Sequence, residues 1–260
     1  MAVDRRPLIA GNWKMNFDHL QAIAFTQKLA WTLRDARHDY ATTEVAIFPP
    51  YTDLRSIQNL IEGDKFELAY GGQDLSAHDA GAYTGEVSGS FLRALGSTYV
   101  LIGHSERRQY HAETDDVIRT KVAAALRSNL SPIICVGETE ADLAQFGPSA
   151  VPVSQLRAAL NGLTPAEIVI AYEPVWAIGT GKAATEEQAQ QVCAALRAAL
   201  TEEWGPESGD ATRILYGGSV KSANISSFMR QPDVDGALVG GASLDVNEFS
   251  SICRFLKHAV

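Results

Sequence analysis

The sequence predicts an α/β fold, one closed (β/α)8 barrel, from three observations. A short apolar run, a loop containing Gly, Pro or Asp, and a stretch of helical periodicity succeed one another with no linker between them. Eight such runs occur in 260 residues, whereas open doubly wound sheets usually end at about five to seven strands. The runs are almost continuously apolar, the pattern of strands covered on both faces. The chain is therefore read as a single catalytic domain, 1–260, with its site at the C-terminal ends of the strands.

The first run, Leu8–Asn12, ends in Asn12-Trp13-Lys14, and the second covers residues 45–48. The third, 68–73, leads into a long loop, 71–86, whose sixteen residues exceed what a barrel connection needs. Leu75 and Tyr83 argue that this loop is covered by something other than solvent. Run four, 99–103, is followed by His104, after which Ser105-Glu106 reads as the first turn of a helix. Run five, 132–136, precedes a stretch, 139–152, that carries Gly147, Pro148 and Pro152. Run six, 168–173, ends in Tyr172-Glu173-Pro174 and passes into the apolar Val175-Trp176-Ala177-Ile178. Thr185 and Gln188 then stand at capping-box spacing ahead of the stripe Ala189, Val192, Cys193, Leu196 and Leu200, which predicts a helix docked by one face. Run seven, 214–216, opens into Gly217-Gly218-Ser219, and run eight, 237–239, into Gly240-Gly241-Ala242-Ser243. Asp245 and Glu248 repeat the cap ahead of Phe249, Ile252, Cys253 and Leu256.

Composition narrows the function classes. With 46% hydrophobic and 20% charged residues the chain is neither disordered nor collagen-like. Its apolar runs are far shorter than the roughly 20 residues a membrane span requires, and residues 1–7 carry charge instead of an apolar signal core, so a cytoplasmic location and no membrane partner are expected. Cys135, Cys193 and Cys253 lie far apart in apolar surroundings, which predicts buried thiols and neither a disulfide framework nor a zinc site. A net charge of −9 without a basic cluster argues against a nucleic-acid partner.

The strand ends hold the candidate chemistry. Glu173 closes an apolar strand and precedes an apolar loop, so desolvation on closure would make it a proton acceptor. A histidine facing the positive end of a helix starting at Ser105 would be held neutral and able to polarise a carbonyl, which is the expectation for His104. Lys14, two residues beyond Asn12, favours an anionic ligand locally in spite of the net negative charge, because exposed charges beyond about 8 Å are screened. The glycines at 217–218 and 240–241, with the Ser219 hydroxyl, offer backbone N–H groups to a phosphate. Residues 179–184 fit G-x-G-x-x-A, but residues 174–178 separate them from the strand, so a lid with glycine hinges is the better reading and no dinucleotide is implied. Gly103-His104-Ser105-Glu106-Arg107 lacks the final glycine of a hydrolase nucleophile elbow.

Asn12-Trp13-Lys14, Gly103-His104-Ser105-Glu106-Arg107-Arg108, residues 171–181 (AYEPVWAIGTG), Tyr216-Gly217-Gly218-Ser219 and residues 238–244 (LVGGASL) together closely resemble the triosephosphate isomerase family, nearly end to end. That family is itself a standard example of tuned proton affinity and loop closure in enzyme catalysis. The resemblance implies interconversion of dihydroxyacetone phosphate and D-glyceraldehyde 3-phosphate through an enediolate, a step of glycolysis and gluconeogenesis. It implies Glu173 as base, His104 as neutral electrophile, Lys14 and Asn12 as substrate ligands, Gly179, Ser219, Gly240 and Gly241 as phosphate ligands, and Glu106 as support from behind. No cofactor or metal is implied, and the lid, 174–182, would keep the enediolate from shedding its phosphate as methylglyoxal. The loop 71–86 would insert into a second subunit beside Asn12 and Lys14, making a homodimer; Asp79 and the stretch 139–152 depart from the family pattern. Two other readings stay open on residue type alone: a Schiff-base aldolase using Lys14, and an inactive phosphate-binding barrel.

Overall fold

The structure is a computed structural model that describes residues 5–177 and 183–257. Eight strands, β1 (Leu8–Asn12), β2 (Glu44–Phe48), β3 (Ala69–Gly72), β4 (Tyr99–Ile102), β5 (Ser131–Val136), β6 (Val169–Tyr172), β7 (Arg213–Tyr216) and β8 (Gly236–Val239), pair in sequence order into a closed parallel barrel. Closure is made by β1, which pairs Ile9 with Val45 of β2 on one side and with Ala237 of β8 on the other. The strands are largely apolar because they alternate between two cores. Leu8, Phe48, Leu101, Cys135, Leu215 and Leu238 fill the barrel interior, while Ile9, Ile47, Ile102, Ile170 and Ile214 face the helices.

The helices of the described residues are α1 (His19–Asp35), α2 (Leu54–Asp64), α3 (Gly89–Ala94), α4 (Ser105–Tyr110), α5 (Asp115–Arg127), α6 (Glu140–Phe146), α7 (Ala150–Leu160), α8 (Glu186–Trp204), α9 (Pro206–Ala211), α10 (Ile225–Phe228) and α11 (Val246–Cys253). The predicted capping box of α8 is complete: Thr185 Oγ1 accepts from Gln188 N and Gln188 Oε1 accepts from Thr185 N. At α11 only half forms. Asp245 caps Glu248 N, but the Glu248 carboxylate turns away to Ser222. Leu256 does not belong to the α11 stripe, since the helix ends at Cys253 and Leu256 is exposed. All three cysteines are free and buried, as expected from their apolar neighbours.

Residues 139–152 hold α6 and the start of α7. Thr139 and Asp142 make a capping box for α6, and Gly147, at φ 78°, ends it before α7 begins. The long loop starts later than residue 71, because Gly71 and Gly72 still belong to β3. Leu75 is 1% exposed and packs in the chain's own core, so it carries no argument for a partner, whereas Tyr83 is exposed and stacks on His78 at 3.7 Å. Among the described residues no helix is long and apolar enough to cross a membrane.

Arg197 of α8 locks the outer helices to the barrel. Its guanidinium meets Asp233 at 2.6 Å and Asp235 at 2.7 Å, and it donates to the carbonyls of Gly209 and Thr212. Asp235 in turn accepts from Ile214 N of β7 and from Arg5. Replacing Arg197 by Met strands buried carboxylates and carbonyls, so urea unfolding of that variant is expected to give a loss of about 3 kcal/mol. A loss within experimental error would mean that Arg5 alone satisfies the cluster.

Candidate active site

The C-terminal ends of the strands surround a cavity of about 510 Å³. Its walls carry Asn12, Lys14, His104, Glu106, Glu173 and Ser219, together with the glycines at 217, 218, 240 and 241. Every strand-end candidate except Gly179 is thus brought together; Gly179, Thr180 and the rest of residues 178–182 lie outside the described residues. A larger recess, about 730 Å³, lies between Tyr51, the start of the long loop and α5, and contains none of these candidates. Two of its cations, Arg107 and Lys121, are already bound to Asp74 and Glu113.

Lys14 is fixed by its backbone. Its φ of 54° is left-handed, a conformation that costs a non-glycine residue about 1–3 kcal/mol. Three neighbours hold it there: the Lys14 amide donates to Asn12 Oδ1 at 3.0 Å, the Lys14 carbonyl accepts from Gln73 Nε2 at 2.7 Å, and the preceding Trp13 ring is buried edge-on against Phe17 and Phe25. The side chain passes beside Gly240, where an added Cβ would stand 3.5 Å from Lys14 Cε, and ends 2.6 Å from Glu106 Oε1. Glu106 is half-exposed in the cavity wall and faces Lys14 directly.

His104 caps α4 with its own ring. Nδ1 accepts from Glu106 N at 3.2 Å, so the single proton of the neutral imidazole sits on Nε2 and points at Glu173 Oε1, 2.9 Å away. The other Glu173 oxygen accepts from Ser105 N at 3.0 Å. Glu173 is 2% exposed and is held by close backbone packing: a Cβ on Gly137 would lie 1.8 Å from Glu173 O, and one on Gly217 3.0 Å from Glu173 Cγ. Glycine is therefore required at 137 for the β5 and β6 ends to approach as they do.

The electrostatics follow from this pairing. Burial disfavours a charged Glu173, but His104, Ser105 N and Lys14 outweigh it and hold the carboxyl below the usual glutamate range. Burial likewise disfavours an imidazolium at His104, yet the Glu173 charge overrides it and raises the ring above the ordinary histidine value. The expectation of a glutamate raised by desolvation concerns loop closure, and that of a neutral histidine rests on the helix start; in this contact each group instead shifts the other. The reason is that the two groups satisfy each other here, and only separation of Glu173 from His104 leaves desolvation and Lys14 to govern each.

Ser219, Gly240 and Gly241 line the same cavity, with Gly241 opening a short 3-10 turn rather than a full helix. Ser243 Oγ donates to Gly240 O at 2.7 Å and steadies that turn. Sequence reasoning missed the roles of Ser105 N, Gln73, Gly137 and Glu138. Glu138 accepts from Trp176 Nε1 at 2.7 Å and Tyr172 Oη at 3.0 Å, tying the start of the lid to β6; burial raises its pKa. Gln73 and Glu138 each lie within two residues of a strand end, a signal that could have singled them out. Among the described residues there is no cluster of three His, Cys, Asp or Glu side chains able to hold a metal ion.

The family model described as triosephosphate isomerase matches residues 7–256. The chain belongs to the triosephosphate isomerase family. A protein named triosephosphate isomerase from Leifsonia xyli subsp. xyli is 64% identical over 257 residues, covering 98% of this chain and 99% of the relative. One from Streptomyces avermitilis is 57% identical over 256 residues, covering 96% and 98%. The crystal structure of triosephosphate isomerase from Bartonella henselae aligns with a TM-score of 0.85 at 35% identity, covering 97% of this chain and 99% of that one. Triosephosphate isomerase family membership thus extends over the whole barrel and all its strand-end loops.

The coupling of His104 to Glu173 has a measurable sign. In the unliganded protein, an NMR titration of His104 is expected to give a pKa above 6.5. In Glu173→Gln the larger raising charge is removed while burial, Lys14 and Glu106 remain, so the same titration is expected to move below the wild-type value. Equal values in both proteins would refute the coupling.

Proposed function

We propose that this protein interconverts dihydroxyacetone phosphate and D-glyceraldehyde 3-phosphate by moving a proton between neighbouring carbons, a step of glycolysis and gluconeogenesis. The observation that carries the reading is one cavity holding a buried carboxylate, an imidazole N–H and an ammonium, the set that enolisation of a hydroxy ketone requires. Glu173 takes the proton from the carbon next to the carbonyl, the electron pair moves to the carbonyl oxygen, and His104 Nε2–H with Lys14 stabilises that oxygen as it becomes an enediolate. Passage of the hydroxyl proton from one enediolate oxygen to the other, by way of His104 Nε2, and return of the carbon proton from Glu173 to the adjacent carbon complete the isomerisation, so neither cofactor nor metal takes part.

For this, Glu173 has to leave Ser105 N and His104 Nε2. Departure frees the Nε2 proton for the substrate oxygen and removes the charge that raises the ring, so the imidazole stays the neutral donor expected from sequence. The same departure strips Glu173 of the partners that lower its pKa and makes it the stronger base. Asn12 and Lys14 bind the substrate oxygens, Ser219, Gly240 and Gly241 receive the phosphate, and Gly179, outside the described residues, completes its cradle from the lid. Glu106 holds the Lys14 ammonium in position.

The aldolase reading is disfavoured. An amine nucleophile needs surroundings that discourage its protonation, and Lys14 instead meets a carboxylate at 2.6 Å.

We further propose a cytoplasmic homodimer, one barrel per subunit over 1–260, joined through the loop 71–86. Met15, 94% exposed beside Lys14, and the exposed Tyr83-His78 stack at the loop tip support this contact, because large apolar surface at the edge of a site calls for cover. Asp79, by contrast, pairs with Arg127 of its own chain at 3.1 Å.

The deciding experiment is a coupled isomerisation assay without added metal or nucleotide. Wild type is expected to turn over glyceraldehyde 3-phosphate, and Glu173→Gln to lose at least about 100-fold in kcat; turnover retained within a few-fold in a folded variant overturns the role of Glu173. Lys14→Met is expected to lose affinity and rate together. Sedimentation of the wild type is expected to give a dimer and of Tyr83→Asp a shift toward monomer with reduced activity, while a fully active wild-type monomer would refute the assembly.

A further inference from the structure

The charges lining the mouth are almost all matched. Glu106 meets Lys14 at 2.6 Å, and Glu173 meets His104 at 2.9 Å. The remaining charged side chain of the described wall is Lys221, two residues beyond Ser219, and among the described residues its ammonium has no ion pair or hydrogen bond. The carboxylate that α11 sends to this turn, Glu248, uses both oxygens on Ser222, accepting from its N at 2.7 Å and its Oγ at 2.9 Å.

The turn that carries Lys221 is closed on itself by Asn224. Lys221 N donates to Asn224 Oδ1 at 2.7 Å, Asn224 Nδ2 donates to Ser219 O at 3.1 Å, and the amides of Asn224 and Ile225 return to Lys221 O at 3.1 and 3.0 Å. The backbone of Lys221 is thereby held at a constant offset from the Ser219 end of the proposed phosphate cradle.

We propose that Lys221 is the cation that draws the substrate's phosphate dianion to the mouth and strengthens its binding. The inference rests on the reading of 217–219 and 240–241 as a phosphate site. A chain of net charge −9 repels a dianion at long range, but screening beyond about 8 Å leaves the encounter to cations near the rim. Lys14 has its charge largely balanced by Glu106, which leaves Lys221 as the cation of the described wall without a carboxylate partner. Its contribution lies in encounter and binding, and the proton transfer is left to the groups at the cavity floor.

The test is calorimetric binding of inorganic phosphate and of sn-glycerol 3-phosphate, a triose-sized dianion that has no carbonyl to react, at low and at physiological ionic strength. Lys221→Gln is expected to weaken both by about 3- to 10-fold at low salt, with the gap narrowing as salt rises, and Lys221→Arg to restore affinity. In the isomerisation assay, Lys221→Gln is expected to lose kcat/KM mainly through KM, and to lose part of its salt dependence. Wild-type affinity in Lys221→Gln at low salt, a gap that does not respond to salt, or failure of wild type to bind either dianion would overturn the proposal. Binding and turnover separate the two readings: wild type that binds phosphate through Lys221 without isomerising a triose would sink the proposed function alone.

Discussion

Everything at the mouth depends on closure of the sheet. Because β8 pairs back onto β1 in parallel register, no edge is left and all eight C-terminal ends open on the same side. Residues separated by most of the chain thereby become neighbours: Lys14 reaches Glu106 across 92 positions and Ser105 reaches Glu173 across 68. Closure also divides the apolar strand residues between an inner and an outer core, so the scaffold is packed on both faces and the polar groups of the mouth gather at and beyond the C-terminal strand ends.

On that rim, Lys14 and Glu173 both find their partners within the chain. A carboxylate as deeply buried as Glu173 is tolerable only with partners, and His104 Nε2 and Ser105 N supply them. The arrangement stores reactivity instead of expressing it, because the contacts that stabilise Glu173 also lower its proton affinity. Lys14 shows the complementary solution, with a strained backbone conformation maintained by Asn12, Gln73 and the buried Trp13 so that its ammonium keeps one position. Such strain persists only where the surroundings over-determine it.

Much of this was legible in the residues. Eight apolar runs gave the barrel because strand count and two-sided burial leave few alternatives, and Asn12, Lys14, His104, Glu173, Ser219 and the paired glycines could be found as the residues closing or following those runs. The Thr185 capping box was legible because it is a local hydrogen-bonding pattern. Leu75 and Leu256 were misread for the opposite reason: an apolar side chain in a loop or past a helix does not announce whether its own core will cover it. In the stretch 139–152 the Thr139–Asp142 capping box is again a local pattern, while the Gly and Pro residues beside it mark where α6 stops before α7.

The sequence by itself determined the periodicity, the caps and the chemical types available at each strand end, since these depend on neighbours a few positions away. Tertiary structure alone decided which of those groups touch. The proton affinities of Glu173 and His104 depend on a contact between two different strand ends, the place of Glu106 in the cavity wall depends on Lys14 from β1, and the unmatched charge of Lys221 is visible only once every other partner is accounted for. Electrostatic interaction is set by distance and burial, and neither quantity is written in the order of residues along the chain.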